Sequence, residues 1–241
     1  DEATSSTAYG YDDGVLTSRI DASTEGVTKT TFEPDGETVQ VEEHWPVDTS
    51  LMLISQGTIT AASSTAYGYE DGVLTSRIDA SAEGVTQTAF DLDGTTVTSE
   101  SHWPAGMAEY YDGTASVMSL GSPTSKSLYH HDASGTLNVI DRNDYLSGNA
   151  IQEHYEDGVL TSKIDVSVEG VTRTSFDLDG TTVTSESHWP AGTKWSSGNL
   201  DNDEATSSTA YGYDDGVLTS RIDASTEGVT KTTFEPDGET V

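Results

Sequence analysis

Cysteine is absent from the 241 residues, which excludes disulfides and thiolate metal sites. That absence does not fix a compartment, but it fits long secreted repeat proteins, in which a stray thiol would cross-link copies wrongly. Cationic residues are scarce. Ten Lys and Arg stand against 42 Asp and Glu, for a formal net charge of -32. Nucleic acid and anionic membrane both need a cationic surface, so neither is an expected partner. Divalent cations and basic partners are attracted instead, and a crowded polymer of such chains stays soluble. Apolar residues make up only 33%, so the core must be thin. Low hydrophobicity with high net charge borders on the composition of disordered chains, so order has to come from patterning. Bound cations, calcium in particular, are expected to help hold the fold. No apolar run approaches the about 20 residues of a membrane span, and the longest patch is Leu51-Met52-Leu53-Ile54. Also missing are a Gly-rich phosphate loop, a GxSxG elbow, an HExxH pair and an Asn-x-Ser/Thr sequon. Carboxylates are so abundant that an imagined glycosidase-like pair carries no information. The chain therefore reads as non-enzymatic. Its Ser- and Thr-rich stretches, such as Ala3–Thr7 and Ala61–Thr65, leave O-linked glycan open.

What the chain does have is repetition. Asp1–Val39 and Asp203–Val241 are identical letter for letter, 202 residues apart. The second copy ends where the first continues Gln40-Val41-Glu42, so the sequence reads as an excerpt from a longer tandem array. Finer repeats lie inside that period. The segment YDDGVLTSRID at Tyr11 recurs at Tyr69, Tyr155 and Tyr213. The copies from Tyr69 to Gly106 and from Tyr155 to Gly192 differ at only five positions, among them Arg77 against Lys163 and Ala80 against Val166. A degenerate copy begins at Tyr110-Tyr111-Asp112-Gly113 and continues through Tyr129-His130-His131-Asp132 to Gly135. The expected division is 1–63, 64–109, a degenerate unit or insert at 110–154, 155–202, and the start of the next super-repeat at 203–241. Arrays of this kind make length, which enzymes seldom need.

Turn signals divide each unit into strands. Ser5 to Asp12 ends at Asp13-Gly14, a pair suited to a type I′ hairpin turn, whose two central residues both need positive φ. Val15 to Ala22 alternates, with Leu16, Ile20 and Ala22 on one face and Thr17, Arg19 and Asp21 on the other. Glu25-Gly26 turns the chain into the Thr-rich stretch Val27–Glu33, and Pro34-Asp35-Gly36 turns it again into Thr38–Trp45, which Pro46 ends. The expectation is an all-β chain of tandem four-strand meanders. A lone meander has open edges and little to bury, so units must abut, as a β-solenoid or closely stacked β-modules. A string of small β-sandwich domains, joined by Val47–Ser63 and Thr193–Asp203, is the alternative.

The aromatic spacing is regular: 21 residues separate Tyr11 from Phe32, Tyr69 from Phe90 and Tyr155 from Phe176. Each aromatic is followed by an acidic residue or turn and then Gly, as YDDG, FEPDG, YEDG and FDLDG. The run YDDGVLTSRIDASTEGVTKTTFEPDGETV resembles the tyrosine-aspartate (YD, or RHS-type) repeat, and is similar to acidic Asp-Gly-rich repeats of bacterial secreted proteins. That resemblance covers about half the chain. It implies a secreted or cell-surface protein with a role in adhesion or in a β-shell. The 202-residue super-period, the HWP triplets and the acidity depart from the pattern and argue against a closed toxin shell.

Three groups of residues stand out as candidate sites. Asp91, Asp93, Asp177 and Asp179, in two DLDG segments, could open calcium loops, although no Glu completes EF-hand spacing and hairpin turns explain them equally. His44-Trp45-Pro46, His102-Trp103-Pro104 and His188-Trp189-Pro190 could present Trp45, Trp103 and Trp189 to a sugar ring. The competing reading makes these tryptophans packing groups between successive repeats. His130, His131, Asp132 and His154 match no metal spacing, and His130 and His131 would point to opposite faces of a strand. The expected function is a structural repeat segment of an extracellular fibre, filament or cell-surface stalk, with neighbouring repeats as its partner. A calcium-dependent adhesin repeat that binds glycans is the alternative.

Overall fold

The computed structural model describes residues 5–47, 49–50, 54, 60–105, 122–193, 195–196, 199–200 and 205–237. Every described element is a β-strand, and the long strands pair antiparallel with their neighbours in sequence. The chain divides into two compact units, 1–124 and 125–241. The first half of the expected degenerate copy, Tyr110–Gly113, lies outside the described residues, as do Leu51–Leu53.

In the first unit, β1 (Ser5–Asp12), β2 (Val15–Ser23), β3 (Gly26–Phe32) and β4 (Val39–Trp45) form one meander. A second follows as β5 (Ser63–Glu70), β6 (Val73–Ser81), β7 (Gly84–Phe90) and β8 (Val97–Trp103). Strand β4 pairs with β5, so hydrogen bonding runs unbroken from one repeat into the next, and the repeats are not separate sandwiches. In the second unit, the hairpin of β9 (Ser125–His131) and β10 (Leu137–Asp144) leads into β11 (Asn149–Glu156), β12 (Val159–Ser167), β13 (Gly170–Phe176) and β14 (Val183–Pro190). A short hairpin, β15 (Trp195–Ser196) and β16 (Asn199–Leu200), precedes β17 (Ser207–Asp214), β18 (Val217–Ser225) and β19 (Gly228–Thr233). Strand β14 pairs with β17 as β4 does with β5. The degenerate copy thus contributes one described hairpin, β9–β10, placed before a full meander.

The turns follow the sequence chemistry. Asp13 and Gly14 have φ of 46 and 85°, and Asp71-Gly72, Asp157-Gly158 and Asp215-Gly216 repeat this pattern. These are the two consecutive positive-φ residues that a twisted hairpin requires. A one-residue bulge sits in each second strand, at Thr17 in β2 opposite Gly10 and Tyr11, and at Thr75 in β6 opposite Gly68 and Tyr69. No feature of the alternating pattern signals such a bulge, and it brings Tyr11 opposite Leu16.

Register then sorts the side chains. On one face Ser6, Ala22, Val27 and Trp45 stand in a row, and the next row carries Ala8, Ile20, Lys29 and Glu43. This second row continues through Ser64, Ala80 and Val85 to Trp103. A third row includes Val41, Ala66 and Ile78. Ala66, Ile78, Val85 and Trp103 are 3% exposed or less, and they form the thin core. The opposite face is a polar lattice of Thr, Asp, Arg, Tyr, Glu and His. There Thr65 donates to Asp79, which also receives Arg77, and the same trio recurs as Thr7, Asp21 and Arg19. Arg19 and Arg77 are thus held next to carboxylates of their own repeat. Among the described residues no helix is long and apolar enough to cross a membrane.

Candidate functional site at the repeat junctions

The HWP triplet closes each repeat because its residues alternate across the sheet. His44 lies on the polar face, where Thr28 Oγ1 meets its Nδ1 at 3.0 Å. His102 with Thr86 and His188 with Thr172 repeat the contact at 3.2 and 3.1 Å. The neighbouring Trp turns to the apolar face. Trp45 is 6% exposed and Trp103 3%, so neither indole has a free face on which a sugar could stack. Trp45 clusters with Val27 and Ile54, and Ile20, Ala22 and Ala61 pack around it. Three of these partners belong to its own repeat (Ile20, Ala22, Val27) and two to the stretch that leads to the next (Ile54, Ala61).

A register step explains that split. Ser6 stands in the row of Trp45, whereas its counterpart Ser64 faces Glu43, two residues earlier. The second repeat is therefore displaced by two residues from the first, and β5 stops short of Trp45. Ile54 and Ala61 pack with Trp45 there, and Ala62 N donates to His44 O at 2.8 Å. Thr206 N makes the same bond to His188 O at 2.8 Å, so the step recurs in the second unit. The glycine at the start of β3, β7 and β13 is required by the Trp backbone. A Cβ on Gly26 would lie 2.4 Å from the Trp45 carbonyl oxygen, and one on Gly84 or Gly170 would lie 2.2 Å from that of Trp103 or Trp189.

A tyrosine crosses each junction on the polar face. Tyr67 in β5 donates to Glu42 in β4 at 3.2 Å, and Tyr211 in β17 donates to Glu186 in β14 at 3.1 Å. Tyr213 adds a bond to the Val183 carbonyl at 3.0 Å. Partial burial, reinforced by the neighbouring carboxylate, raises the phenol of Tyr67 and of Tyr211 above the ordinary value. Sequence reasoning missed this pair. Its signal was present in the recurrence of Tyr two residues before the turn-flanking Tyr, and of Glu three residues before each Trp.

The four acidic residues singled out as calcium ligands serve as turn caps. Asp93 accepts the amides of Thr95 and Thr96 at 2.8 Å each and the Thr96 hydroxyl as well. Asp179 makes the same bonds with Thr181 and Thr182. These donors, the threonine hydroxyl first, hold both carboxyls at about 2. Asp91 and Asp177 each accept the next amide, from Leu92 and Leu178, at 2.7 Å. Among the described residues no group of three or more His, Cys, Asp or Glu converges as a metal site would.

The histidines of the degenerate copy are placed differently from one another. His130 meets Asp141 at 3.0 Å, Gln152 donates to the other Asp141 oxygen at 2.7 Å, and His154 meets the Gln152 carbonyl at 2.9 Å. This polar row crosses β9, β10 and β11, and Gln152 occupies the place that Ala66 holds in the regular repeat. Gln152 is only 5% exposed, and its hydrogen bonds offset the cost of burying an amide there. His131 and Asp132 stand apart, with Asp132 capping the β9–β10 turn through Ser134 and Thr136. Compared with known proteins, the chain matches no protein-family model, and no curated protein is significantly similar to it.

Proposed function

We propose that this chain is a structural repeat segment of an extracellular fibre, filament or cell-surface stalk, whose partners are further copies of the same repeat. The observation that carries this reading is the repeat junction. Pairing passes from closing strand to opening strand at β4–β5 and at β14–β17 in one register, with the same Tyr-to-Glu bond each time. A junction that recurs unchanged can extend an array without new design, as in other quasi-one-dimensional repeat proteins. The lack of cysteine, the charge of -32 and the resemblance to YD-type repeats support an extracellular setting. The experiment is to join one, two and four 202-residue periods and measure particle length by small-angle scattering and negative-stain microscopy. Length rising in proportion to period number, with uniform width, is expected. Flexibly jointed beads would overturn the reading.

A further inference from the structure

We infer that the chain uses two mutually exclusive kinds of strand seam, and that the opening strand β11 is keyed to β10 and refuses the closing strand that β4 and β14 provide. The starting point is a hazard of near-identical repeats. The meanders that open at β5 and at β11 continue through stretches that differ at only five positions, so little downstream tells one from the other. The opening strands themselves differ. Strands β5 and β17 read SSTAYGYE and SSTAYGYD, whereas β11 reads NAIQEHYE.

Register aligns the two kinds residue by residue. Ala66 faces Ile78 and Gln152 faces Ile164, so Gln152 holds the place of Ala66, and Glu153 that of Tyr67. On the preceding strand Asp141 holds the place of Val41, and Arg142 that of Glu42. In the regular seam the opening strand donates: Tyr67 bonds Glu42 at 3.2 Å, and Tyr211 bonds Glu186 at 3.1 Å. At β10–β11 the roles are exchanged. The acceptor Glu153 now lies on the opening strand, and Arg142 on the strand before it donates from Nη1 to Oε2 at 3.1 Å. On the apolar face, Val41 opposite Ala66 and Ser185 opposite Ala210 give way to Asp141, which accepts from Gln152 at 2.7 Å.

Each kind of seam rejects the strand of the other. A regular closing strand against β11 would bring its Glu towards Glu153, whose side chain is only 12% exposed, and would remove the Arg142 that neutralises it. It would also withdraw the carboxylate that holds the buried Gln152 amide. Strand β10 against β5 would set Asp141 on the buried Ala66, where no amide meets the carboxylate. Like charges brought together across strands, and buried polar groups left unpaired, are the usual means of discriminating against a wrong partner. The β9–β10 hairpin therefore keeps one place in each period, although the meanders around it are nearly interchangeable in sequence. This concerns which strand meets which within the chain, so it stands whether arrays form uniform rods or beads.

The test changes one position of a seam at a time in the full chain and reads hydrogen exchange at the amides of each seam, at about 0.15 M and about 1 M salt. Tyr67→Glu gives β5 the residue of β11 opposite an unchanged β4. It should speed exchange at β4–β5 by about tenfold or more, against about threefold for Tyr67→Phe, which removes the bond without adding charge. That excess should shrink at high salt. Adding Glu42→Arg to Tyr67→Glu transplants the β10–β11 pair and should restore protection to within about threefold of the parent chain. Arg142→Glu should speed exchange at β10–β11 by about a hundredfold, and adding Glu153→Tyr should recover at least about tenfold of that loss. If Tyr67→Glu costs no more than Tyr67→Phe, or if either second substitution fails to restore protection, the seams are not two exclusive kinds and the inference falls.

Discussion

Ile78 and Ile222 occupy the same place in the same sequence, VLTSRID, yet Ile78 is 0% exposed and Ile222 is 40% exposed. Replacing each by Ala removes three carbons, worth about 2.4 kcal/mol in transfer at roughly 0.8 kcal/mol each. At Ile78 the loss also leaves a cavity between β5 and β7, which brings the expected cost to about 3–4 kcal/mol. At Ile222 the side chain is already partly in water and the site opens outward, so only about 60% of the transfer term applies and no cavity forms. The expected cost there is about 1–1.5 kcal/mol. Urea unfolding of each variant, with hydrogen exchange read at the amides of β6 and β18, measures the two losses separately. A difference of at least twofold is expected. Equal losses, or a larger one at Ile222, would refute the claim that position in the array, and not local sequence, sets the core.

Gly84→Ala forces a Cβ onto the Trp103 carbonyl at a φ of 136°, so a cost of about 3 kcal/mol or more is expected, whereas Gly228→Ala, at a φ of 135° with open space, should cost about 1–2 kcal/mol; urea midpoints decide. Thr88 is 3% exposed and its hydroxyl has no hydrogen-bond partner among the described residues, so Thr88→Val is expected to raise stability by about 1 kcal/mol in the same assay. Asp93 and Asp179 are held at about 2, below the roughly 3.9 of an unfolded Asp, so their stabilisation is present above about pH 4 and lost as pH falls through 2; carboxyl NMR titration should find both, and Asp93→Ala should flatten that acid limb. Tyr67 has a raised phenol, so its contribution is complete below about pH 10 and lost as pH rises through the folded value. Tyr67→Phe should reduce the alkaline loss seen by thermal melting, and an unchanged alkaline limb would count against the junction bond.

The strands were legible because turn chemistry and alternation agreed. Asp13-Gly14 and Pro34-Asp35-Gly36 delimit β2 and β4 within a residue or two, and the split of Ile20 and Ala22 from Arg19 and Asp21 follows from the two-residue period. Leu16, expected beside Ile20 and Ala22, instead shares the face of Tyr11 and Arg19, because the bulge at Thr17 shifts the alternation by one residue. The need for edges to be covered by neighbours was legible too, since no single meander could bury its own. Less could be read at the junctions. The role of Tyr67 depends on pairing with Glu42, 25 residues away, and no local pattern announces that register. The two-residue step was hidden for the same reason, and with it the cause of Trp45 packing on Ile54 and Ala61. Asp91 and Asp93 could be read as calcium ligands or as turn residues, because clustered carboxylates suit both. Their turn role became visible only with the placement of the Thr95 and Thr96 donors.

The contrast between identical segments bears on how such an array would be stable at all. A repeat with few large apolar residues gains its core strand by strand: Ile78, in a meander that runs through β8 to Trp103, is sealed, and Ile222, beside β19, is not. Stability in such a system is the sum of a weak term for each repeat and a stronger term for each junction. Adding a repeat adds one of each, so interior repeats become firmer as the array lengthens while the end repeats stay exposed. The junction is heterologous, joining a closing strand to an opening strand. A contact of that kind propagates unless its rotation happens to close a ring. Homogenised sequence then has a physical use. When every junction is the same, every repeat can follow every other, and length can change by whole periods without disturbing the Tyr–Glu bond or the Gly–Trp contact on which each junction depends.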